Sequence, residues 1–417
     1  MTRALTSDAG QAGTESSRSS AFAMVIAGSL FLPIPGITQL SAGAFLVLGA
    51  APVIVPPLLS TPMGRRLAVV FGAVVVALPI TVMTSLALQP QRGFDSANFV
   101  RDLCAVISLC TAVTGTCYAF RHAGIIKTVL AAALGVLGAV ALNPEVSAEN
   151  VWKYGISWPV CVIALITTKK LPATIRYGAL VGLGAVSLLN ETRNTAAVLF
   201  AVLLVDVLSR FRLKGARPVN RWVAIVLLLA AAWLVSSIVS AIALSGVAGQ
   251  NLQAREMAQN QVGIFGGRVE YGATFALMLE APLGIGAGVS PSATDIDAGQ
   301  AGIESIGADA TAPYVTHQVL GSRIELHSIA GDLWLIGGPI GAIAAFVGAA
   351  SLIGGVIDVR RIPDTTIRPL IAFVLLQSAW DWLFSPLIVN GPLAGLALAL
   401  CLTMRASSFE RPEVGLA

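Results

Sequence analysis

Residues 327–341 read His327-Ser-Ile-Ala-Gly-Asp-Leu-Trp-Leu-Ile-Gly-Gly-Pro-Ile-Gly341, and within them a polar loop turns into an apolar helix. They close the interval from Gly266 to Gly341, the one long polar stretch in a chain that is otherwise nearly all apolar. An α-helix forms all of its backbone hydrogen bonds internally. It can therefore cross a bilayer, where no water is available as a hydrogen-bond partner. The sequence therefore predicts a bundle of membrane helices that holds this interval against one face of a bilayer.

The composition excludes a soluble globular protein. Of the 417 residues, 56% are hydrophobic and only 12% are charged, whereas about a quarter of the residues in a soluble domain are charged. The abundant Ala and Gly residues predict a compact bundle, because small residues let membrane helices approach closely. A span needs roughly 20 apolar residues, and twelve segments, some of them short, are predicted to cross: 21–35, 38–59, 67–88, 99–120, 125–142, 154–168, 176–190, 194–209, 222–246, 332–357, 369–387 and 390–404.

The Lys and Arg residues predict the orientation of these spans, because they accumulate in cytoplasmic connections. Every second connection carries several of them, which predicts that both termini are cytoplasmic and that the long polar interval faces outward. The net charge of +4 follows from this topology and needs no nucleic-acid partner. Only seven of the 26 basic residues fall on the outer side: Arg92, Arg101, Lys153, Arg193, Arg255, Arg268 and Arg323.

The predicted outer loop has three parts. Tyr271, Phe275 and Leu279 recur at helical spacing, which predicts a helix over 268–280 that lies on the bilayer or holds Arg268 toward a lipid headgroup. Gly284 to Gly288 predict a tight turn, and residues 290–312, rich in Ser, Asp, Ala and Gly, predict a mobile cap. The chain then divides into a disordered cytoplasmic tail (1–20), spans one to nine (21–246), the outer loop (247–331), spans ten to twelve (332–404) and a second cytoplasmic tail (405–417).

His327 is the strongest candidate for chemistry. It opens the tenth span at the outer surface, and a histidine there can act as a base near neutral pH. The alternative is a solvated interfacial histidine. His317, ten residues earlier, is a weaker candidate, and the two histidines lack a close third ligand for a metal.

Arginine and aspartate residues surround this candidate. Arg193 occupies a very short outer turn, where it either snorkels beside Glu191 or clamps an anion, because guanidinium groups bind phosphate oxygens bidentately. Arg268 and Arg323 share the second possibility, so the outer face is predicted to bind an anionic diphosphate. Two acidic residues near the outer ends of predicted spans are predicted to support the site, because an acidic side chain within the membrane is a functional candidate by default. They are Asp332 and Asp381.

Three motifs resemble the O-antigen ligase/polymerase superfamily. Gly267-Arg268-Val-Glu-Tyr271 followed by Ala281-Pro-Leu-Gly-Ile-Gly286 is similar to that family's arginine, aromatic and Pro-Leu-Gly-x-Gly segment. His327 followed by Gly338 and Gly341 resembles its His-Asn and Gly-x-x-Gly close, and the Thr192-Arg193 turn resembles its Ser-Arg turn. The sequence departs from the family pattern at two positions, with Ser328 for the usual Asn and Tyr271 for the usual Trp.

The resemblance implies a metal-independent, inverting glycosyltransferase of a bacterial inner membrane that needs no cofactor. Its donor would be a glycan on undecaprenyl diphosphate, and its acceptor a hydroxyl of a glycan or of lipid A-core. His327 would position or deprotonate that hydroxyl, and Arg193, Arg268 and Arg323 would bind the diphosphate. Ligase, repeat-unit polymerase and protein glycosylation all remain open, because members with these activities share the motifs.

Two other classes of protein fit the same chain. A transporter or flippase of a lipid-linked glycan or small solute would place its charges near the middle of the bilayer, often on broken helices. A non-catalytic scaffold of the cell envelope would not depend on His327. The concentration of polar residues at the outer face favours the enzyme.

Overall fold

The computed structural model of the chain is almost entirely helical. It describes residues 5–34, 37–60, 62–210, 268–360, 362 and 364–409, together with short pieces between 230 and 257. The predicted ninth span (222–246) lies largely outside these residues, as do Arg255 and Gly267. Two short antiparallel pairs accompany the helices, β1 (Pro33–Ile34) with β2 (Ile37–Ser41) and β3 (Gly93–Phe94) with β4 (Val289–Ser290).

The helices before the long loop are, in order, α1 (Leu5–Ser29), α2 (Ala42–Gly49), α3 (Ala51–Leu59), α4 (Pro62–Leu88), α5 (Ser96–Ala123), α6 (Ile125–Leu142), α7 (Ser157–Thr168), α8 (Ala173–Leu189) and α9 (Arg193–Arg210). From the loop onward they are α10 (Glu270–Glu280), α11 (Ala293–Ser305), α12 (Ile329–Val359), α13 (Arg368–Phe384) and α14 (Leu387–Phe409). Single turns of other helix types lie at Pro144–Ser147, Trp152–Ile156 and Val315–Val319.

Among the described residues, five helices are long and apolar enough to cross a membrane: Ala68–Leu88, Ser96–Ala123, Ile125–Leu142, Ile329–Val359 and Leu387–Met404. The chain is therefore a helical membrane protein. The total of twelve spans and their orientation stay predictions. The β3–β4 pair joins the α4–α5 connection to the long loop, and we call this end of the bundle the loop end.

Close helix contacts at small residues confirm the predicted compactness. A Cβ atom on Gly135 of α6 would lie 2.0 Å from the backbone oxygen of Gly28 in α1. One on Gly395 of α14 would lie 3.0 Å from the backbone oxygen of Leu109 in α5. Only glycine fits at the α1–α6 crossing, which is how small residues hold membrane helices together.

Two predictions about the N-terminal region are wrong. Residues 5–20, predicted as a disordered tail, continue the first apolar helix, since extending an existing helix adds one backbone hydrogen bond for each residue fixed. The second predicted span, 38–59, starts as strand β2 and then forms two short helices. Ser41 caps α2 by accepting a hydrogen bond from the Ala44 amide, and Pro52 near the start of α3 separates the two helices.

The long loop contains two packed helices, so the predicted mobile cap is also wrong. The amphipathic helix is confirmed as α10, which begins at Glu270 and exposes Phe275 and Leu279. Residues 293–305 form α11, which packs across α10 so closely that a Cβ on Gly272 would lie 2.4 Å from the Gly302 oxygen. The polar composition of α11 hid a helix whose order comes from contacts with distant residues.

Helix α12 starts at the loop end, and its helical conformation is interrupted at Gly338. Gly338 has φ 55° and ψ −142°, and Pro339 follows it. The break leaves carbonyl groups without helical partners, and the tight turn at Gly284–Gly288, confirmed by positive φ at Gly284, Gly286 and Gly288, supplies donors. The amides of Ile285 and Gly286 both donate to the Leu335 oxygen at 2.9 Å.

Candidate functional site

His327 stands at the junction between the long loop and α12. Its φ of 48° is in the left-handed region, which is uncommon for a residue other than glycine. Its Nδ1 lies 3.1 Å from the backbone oxygen of Glu325. Because a carbonyl oxygen can only accept, Nδ1 carries the proton and Nε2 holds the basic lone pair in the neutral ring. This tautomer suits a general base that acts through Nε2.

Ser328 fixes the start of α12 directly after His327. Its Oγ accepts a hydrogen bond from the Gly331 amide at 3.1 Å and donates to the Trp382 oxygen at 3.4 Å. Asn and Ser are equally good N-cap residues. Ser328 therefore provides the cap that ends the loop and begins α12.

Tyr314 joins His327 to the start of α10. Its ring packs against the His327 imidazole, with 5.7 Å between centroids and 56° between planes. Its hydroxyl donates to Oε1 of Glu270, which is only 5% exposed. Burial raises the pKa of Tyr314, and the Glu270 carboxylate raises it further, while Arg268 acts in the opposite direction. The histidine, the tyrosine, the glutamate and the arginine therefore form one cluster.

Arg268 lies two residues before Glu270 and stacks on aromatic rings of α13. The guanidinium carbon is 5.1 Å from the Phe384 centroid and 5.8 Å from that of Trp380. Tyr271 supports the same contact, since its hydroxyl donates to the Leu383 oxygen at 2.9 Å. Burial raises the pKa of Tyr271 to about 12, so it remains a neutral donor.

The two predicted supporting aspartates both bind helix ends. Asp381 is buried and accepts hydrogen bonds from Gln377 Nε2 at 3.2 Å and Ser385 Oγ at 2.8 Å. Asp332 accepts from the Leu387 amide at 2.8 Å and so caps α14. A carboxylate at a helix N-terminus also interacts favourably with the helix dipole. Asp381 therefore holds the C-terminal end of α13, and Asp332 ties α12 to the start of α14.

Arg323 is held by two carboxylates. Its Nη1 is 3.3 Å from Asp102 Oδ1, and its Nη2 is 2.7 Å from Glu325 Oε1, which Arg101 also contacts at 3.3 Å. The side chain of Arg323 therefore orients Glu325, whose backbone oxygen binds His327. Asp102 and Glu325 already balance the positive charge of Arg323, so this arginine does not need a phosphate as its counter-ion.

A small cavity with a mainly apolar lining lies beside this ion-pair network. It is lined by the acidic side chains Asp102 and Asp332, by Asn98 and Arg323, and by the glycine-rich turn. Gly288 donates its amide to Asp102 at 2.9 Å. The described turn amides of Ile285, Gly286 and Gly288 are thus all hydrogen-bonded within the protein.

Arg193 begins α9, which packs against α13. At the opposite end of this pair, Arg368 Nη1 lies 3.9 Å from Asp206 Oδ1. Asp206 follows Arg193 by as many residues as Asp381 follows Arg368, and every helical residue advances by about 1.5 Å. An antiparallel arrangement of the two helices would place Arg193 at the level of Asp381. The proposed meeting of Arg193 with Arg268 and His327 stays a prediction.

Three features of this region were not predicted from the sequence: Glu270, Tyr314 and the buried pair Arg92–Asp295. Only the last had a readable signal, because Ser292 and Asp295 have the spacing of a capping box, which the structure forms. His317 lies in the helical turn Val315–Val319 with its side chain exposed. Within the described ranges, no group of three or more His, Cys, Asp or Glu residues is placed to hold a metal ion.

A scan against models of known protein families finds no match for this chain, and a search of curated proteins finds none either. The resemblance carried by the three motifs is therefore a hypothesis about function, and the geometry around His327 is what supports it.

Proposed function

We propose that this protein is an inverting glycosyltransferase of the O-antigen ligase/polymerase type. The observation that carries the proposal is the bond from His327 Nδ1 to the Glu325 oxygen, 3.1 Å long. It leaves Nε2 as the basic nitrogen at the point where a polar loop meets a membrane helix. A base at this depth can reach the reacting end of a lipid-linked substrate while the lipid stays in the bilayer.

In the proposed reaction, an acceptor hydroxyl attacks the anomeric carbon of the donor glycan. The hydroxyl proton passes to His327 Nε2, the new bond from oxygen to carbon forms, and the bond from that carbon to the diphosphate oxygen breaks. The diphosphate leaves with the bonding electrons, and its growing negative charge is offset by Arg268 and Arg193. Inversion follows because the hydroxyl attacks from the face opposite the leaving group.

The remaining predicted site residues have supporting roles in this scheme. Arg323 holds Glu325 in place through an ion pair. The backbone oxygen of Glu325 in turn fixes the tautomer of His327. Tyr271 and Asp381 both lie close enough to Arg268 to interact with its charge, and Asp332 secures the start of α14. The donor is an undecaprenyl-diphosphate-linked glycan, and the acceptor is a glycan or lipid A-core. The distribution of Lys and Arg supports a periplasmic active face on the inner membrane.

A deletion strain complemented with variants tests the proposal. We expect His327→Ala and Arg268→Ala to abolish the surface glycan, whereas His317→Ala, a histidine in the same loop, should restore it. Normal glycan from a well-expressed His327→Ala protein would refute the catalytic assignment. Accumulation of long lipid-linked chains in the deletion strain would indicate a ligase, and of single repeat units a polymerase.

A flippase is the second candidate, favoured by the break in α12 at Gly338 beside a cavity that contains Asp102 and Asp332. Broken membrane helices commonly line transport sites. The two candidates differ in where the unused lipid-linked glycan accumulates. Loss of a transferase leaves it on the outer face, open to a glycosidase added to spheroplasts, and loss of a flippase leaves it protected inside.

A further inference from the structure

We propose that Tyr314, anchored by Glu270, is the positioning residue that holds the His327 imidazole at a fixed distance from Arg268. The expected effect on catalysis rests on the proposed function. The contacts among Tyr314, Glu270 and His327 do not depend on it. Tyr314 lies outside the three motifs that carry the family resemblance, and Glu270 lies within the first of them at a position to which the resemblance assigns no role.

His327 needs a second contact to hold its ring. Its left-handed backbone persists only where surrounding groups enforce it. The single hydrogen bond from Nδ1 to Glu325 sets the tautomer but leaves the ring free to turn about that bond. The ring of Tyr314, 5.7 Å away between centroids, blocks that rotation from one side.

Tyr314 is itself held by a bond rather than by packing. The residue is 37% exposed, so surrounding side chains alone would leave it several rotamers. Its hydroxyl donates to Glu270 Oε1, and the other carboxylate oxygen is buried without a hydrogen-bond partner among the described residues. Loss of the tyrosine bond would leave a bare buried carboxylate, which is costly, so the bond is strongly favoured.

Glu270 ties this contact to the arginine. It begins α10, where a carboxylate is stabilised by the helix dipole, and α10 is locked to α11 at Gly272 and Gly302. Arg268 precedes Glu270 by two residues and is stacked on Phe384. A displacement of Tyr314 would therefore change the distance between the base and the cation that the proposed transfer requires.

The test compares Tyr314→Phe, Tyr314→Leu and Glu270→Gln with Glu280→Gln, an exposed glutamate on the same helix. The chain has three histidines, so selectively ¹³C-labelled histidine gives three ring signals, assigned by His→Gln variants. We expect the His327 signal to broaden or shift in Tyr314→Phe and more strongly in Tyr314→Leu. It should be unchanged in Glu270→Gln, whose amide oxygen still accepts the tyrosine bond, and in Glu280→Gln. His122 is the internal reference.

For transfer by the purified protein, we expect kcat to fall about tenfold in Tyr314→Phe and about a hundredfold in Tyr314→Leu, because small displacements of reacting groups have effects of this size. The KM for the lipid-linked donor should change little. An unchanged His327 signal with kcat within twofold of wild type in both tyrosine variants would overturn the inference. If His327→Ala still transfers at the normal rate, the proposed function fails instead, and the NMR result still decides the role of Tyr314.

Discussion

Arg92 and Asp295 form a buried ion pair with two hydrogen bonds, Nε to Oδ2 at 2.9 Å and Nη2 to Oδ1 at 2.6 Å. Their side chains are 3% and 0% exposed. Ser85 accepts from Nη1, and Ser292 donates to the carboxylate, so both charges are well satisfied. The pair fastens α11 to the end of α4 and thereby fixes the layer of helices that carries Glu270 and Arg268.

Removing one partner of this pair should destabilise the protein strongly. Arg92→Ala leaves a buried carboxylate uncompensated, and we expect a loss of about 3–5 kcal/mol in unfolding free energy. Arg101→Gln, which breaks a partly exposed pair with Glu325, should cost about 1 kcal/mol or less. A thiol-reactive dye can follow unfolding in detergent, because all five cysteines are free and at least partly buried. Equal losses in both variants would contradict this ranking.

Because of the Arg92–Asp295 pair, the stability of α11 should depend on pH in the acid range. Burial raises the pKa of Asp295, but hydrogen bonds from Arg92 and Ser292 outweigh it and leave the pKa below its ordinary value of 3.8. The folded state therefore favours the ionised carboxylate, and its stabilisation is complete above the ordinary pKa and lost as pH falls through the lower, folded one.

Hydrogen exchange of residues 293–305 measures this dependence. We expect constant protection from pH 7 to about pH 5 and a loss below about pH 4. In Asp295→Asn the protection should be lower throughout and insensitive to pH over that acid range. A wild-type helix that loosens between pH 7 and pH 5 would show that another group controls α11.

The break in α12 should tolerate no side chain at Gly338. An added Cβ would lie 2.3 Å from the Leu283 oxygen, and the φ of 55° disfavours any other residue. We expect Gly338→Ala to reduce the unfolding free energy by about 3 kcal/mol or more. The control is Gly178→Ala in α8, where open space surrounds the new methyl group; there we expect a change of at most about 1 kcal/mol, toward greater stability.

Arg268 should depend on its planar shape as well as its charge. A lysine keeps the charge but loses the stacked guanidinium and its bidentate contact with phosphate. We expect Arg268→Lys to raise the KM for a lipid-diphosphate donor roughly tenfold, about 1.4 kcal/mol, and Arg268→Ala to raise it further. Arg65→Lys, at an exposed position in α4, should leave the KM unchanged.

The sequence predicts the elements whose signal is local. The tight turn at Gly284–Gly288 follows from its glycines, the amphipathic spacing of Tyr271, Phe275 and Leu279 predicts α10, and the re-entry after His327 appears as α12 starting at Ile329. In each case, neighbouring residues along the chain determine the conformation.

The features that the sequence does not predict depend on partners far along the chain. Helix α11 has little hydrophobic periodicity, and its order comes from Arg92, which lies far before Asp295 in the sequence. Tyr314 and Glu270 are likewise distant, and nothing near either residue marks it as a neighbour of His327. The proline that splits the second predicted span was visible, but its apolar surroundings fit one long helix equally well.

Transfer by the purified protein tests the central claim most directly. The assay supplies an undecaprenyl-diphosphate-linked glycan and an acceptor glycan in the presence of EDTA, and it measures released undecaprenyl diphosphate together with the glycosylated product. We predict release and product in equal amounts for the wild type and for His317→Ala, and the loss of both for His327→Ala. Undiminished transfer by His327→Ala would contradict the claim that this histidine is the base.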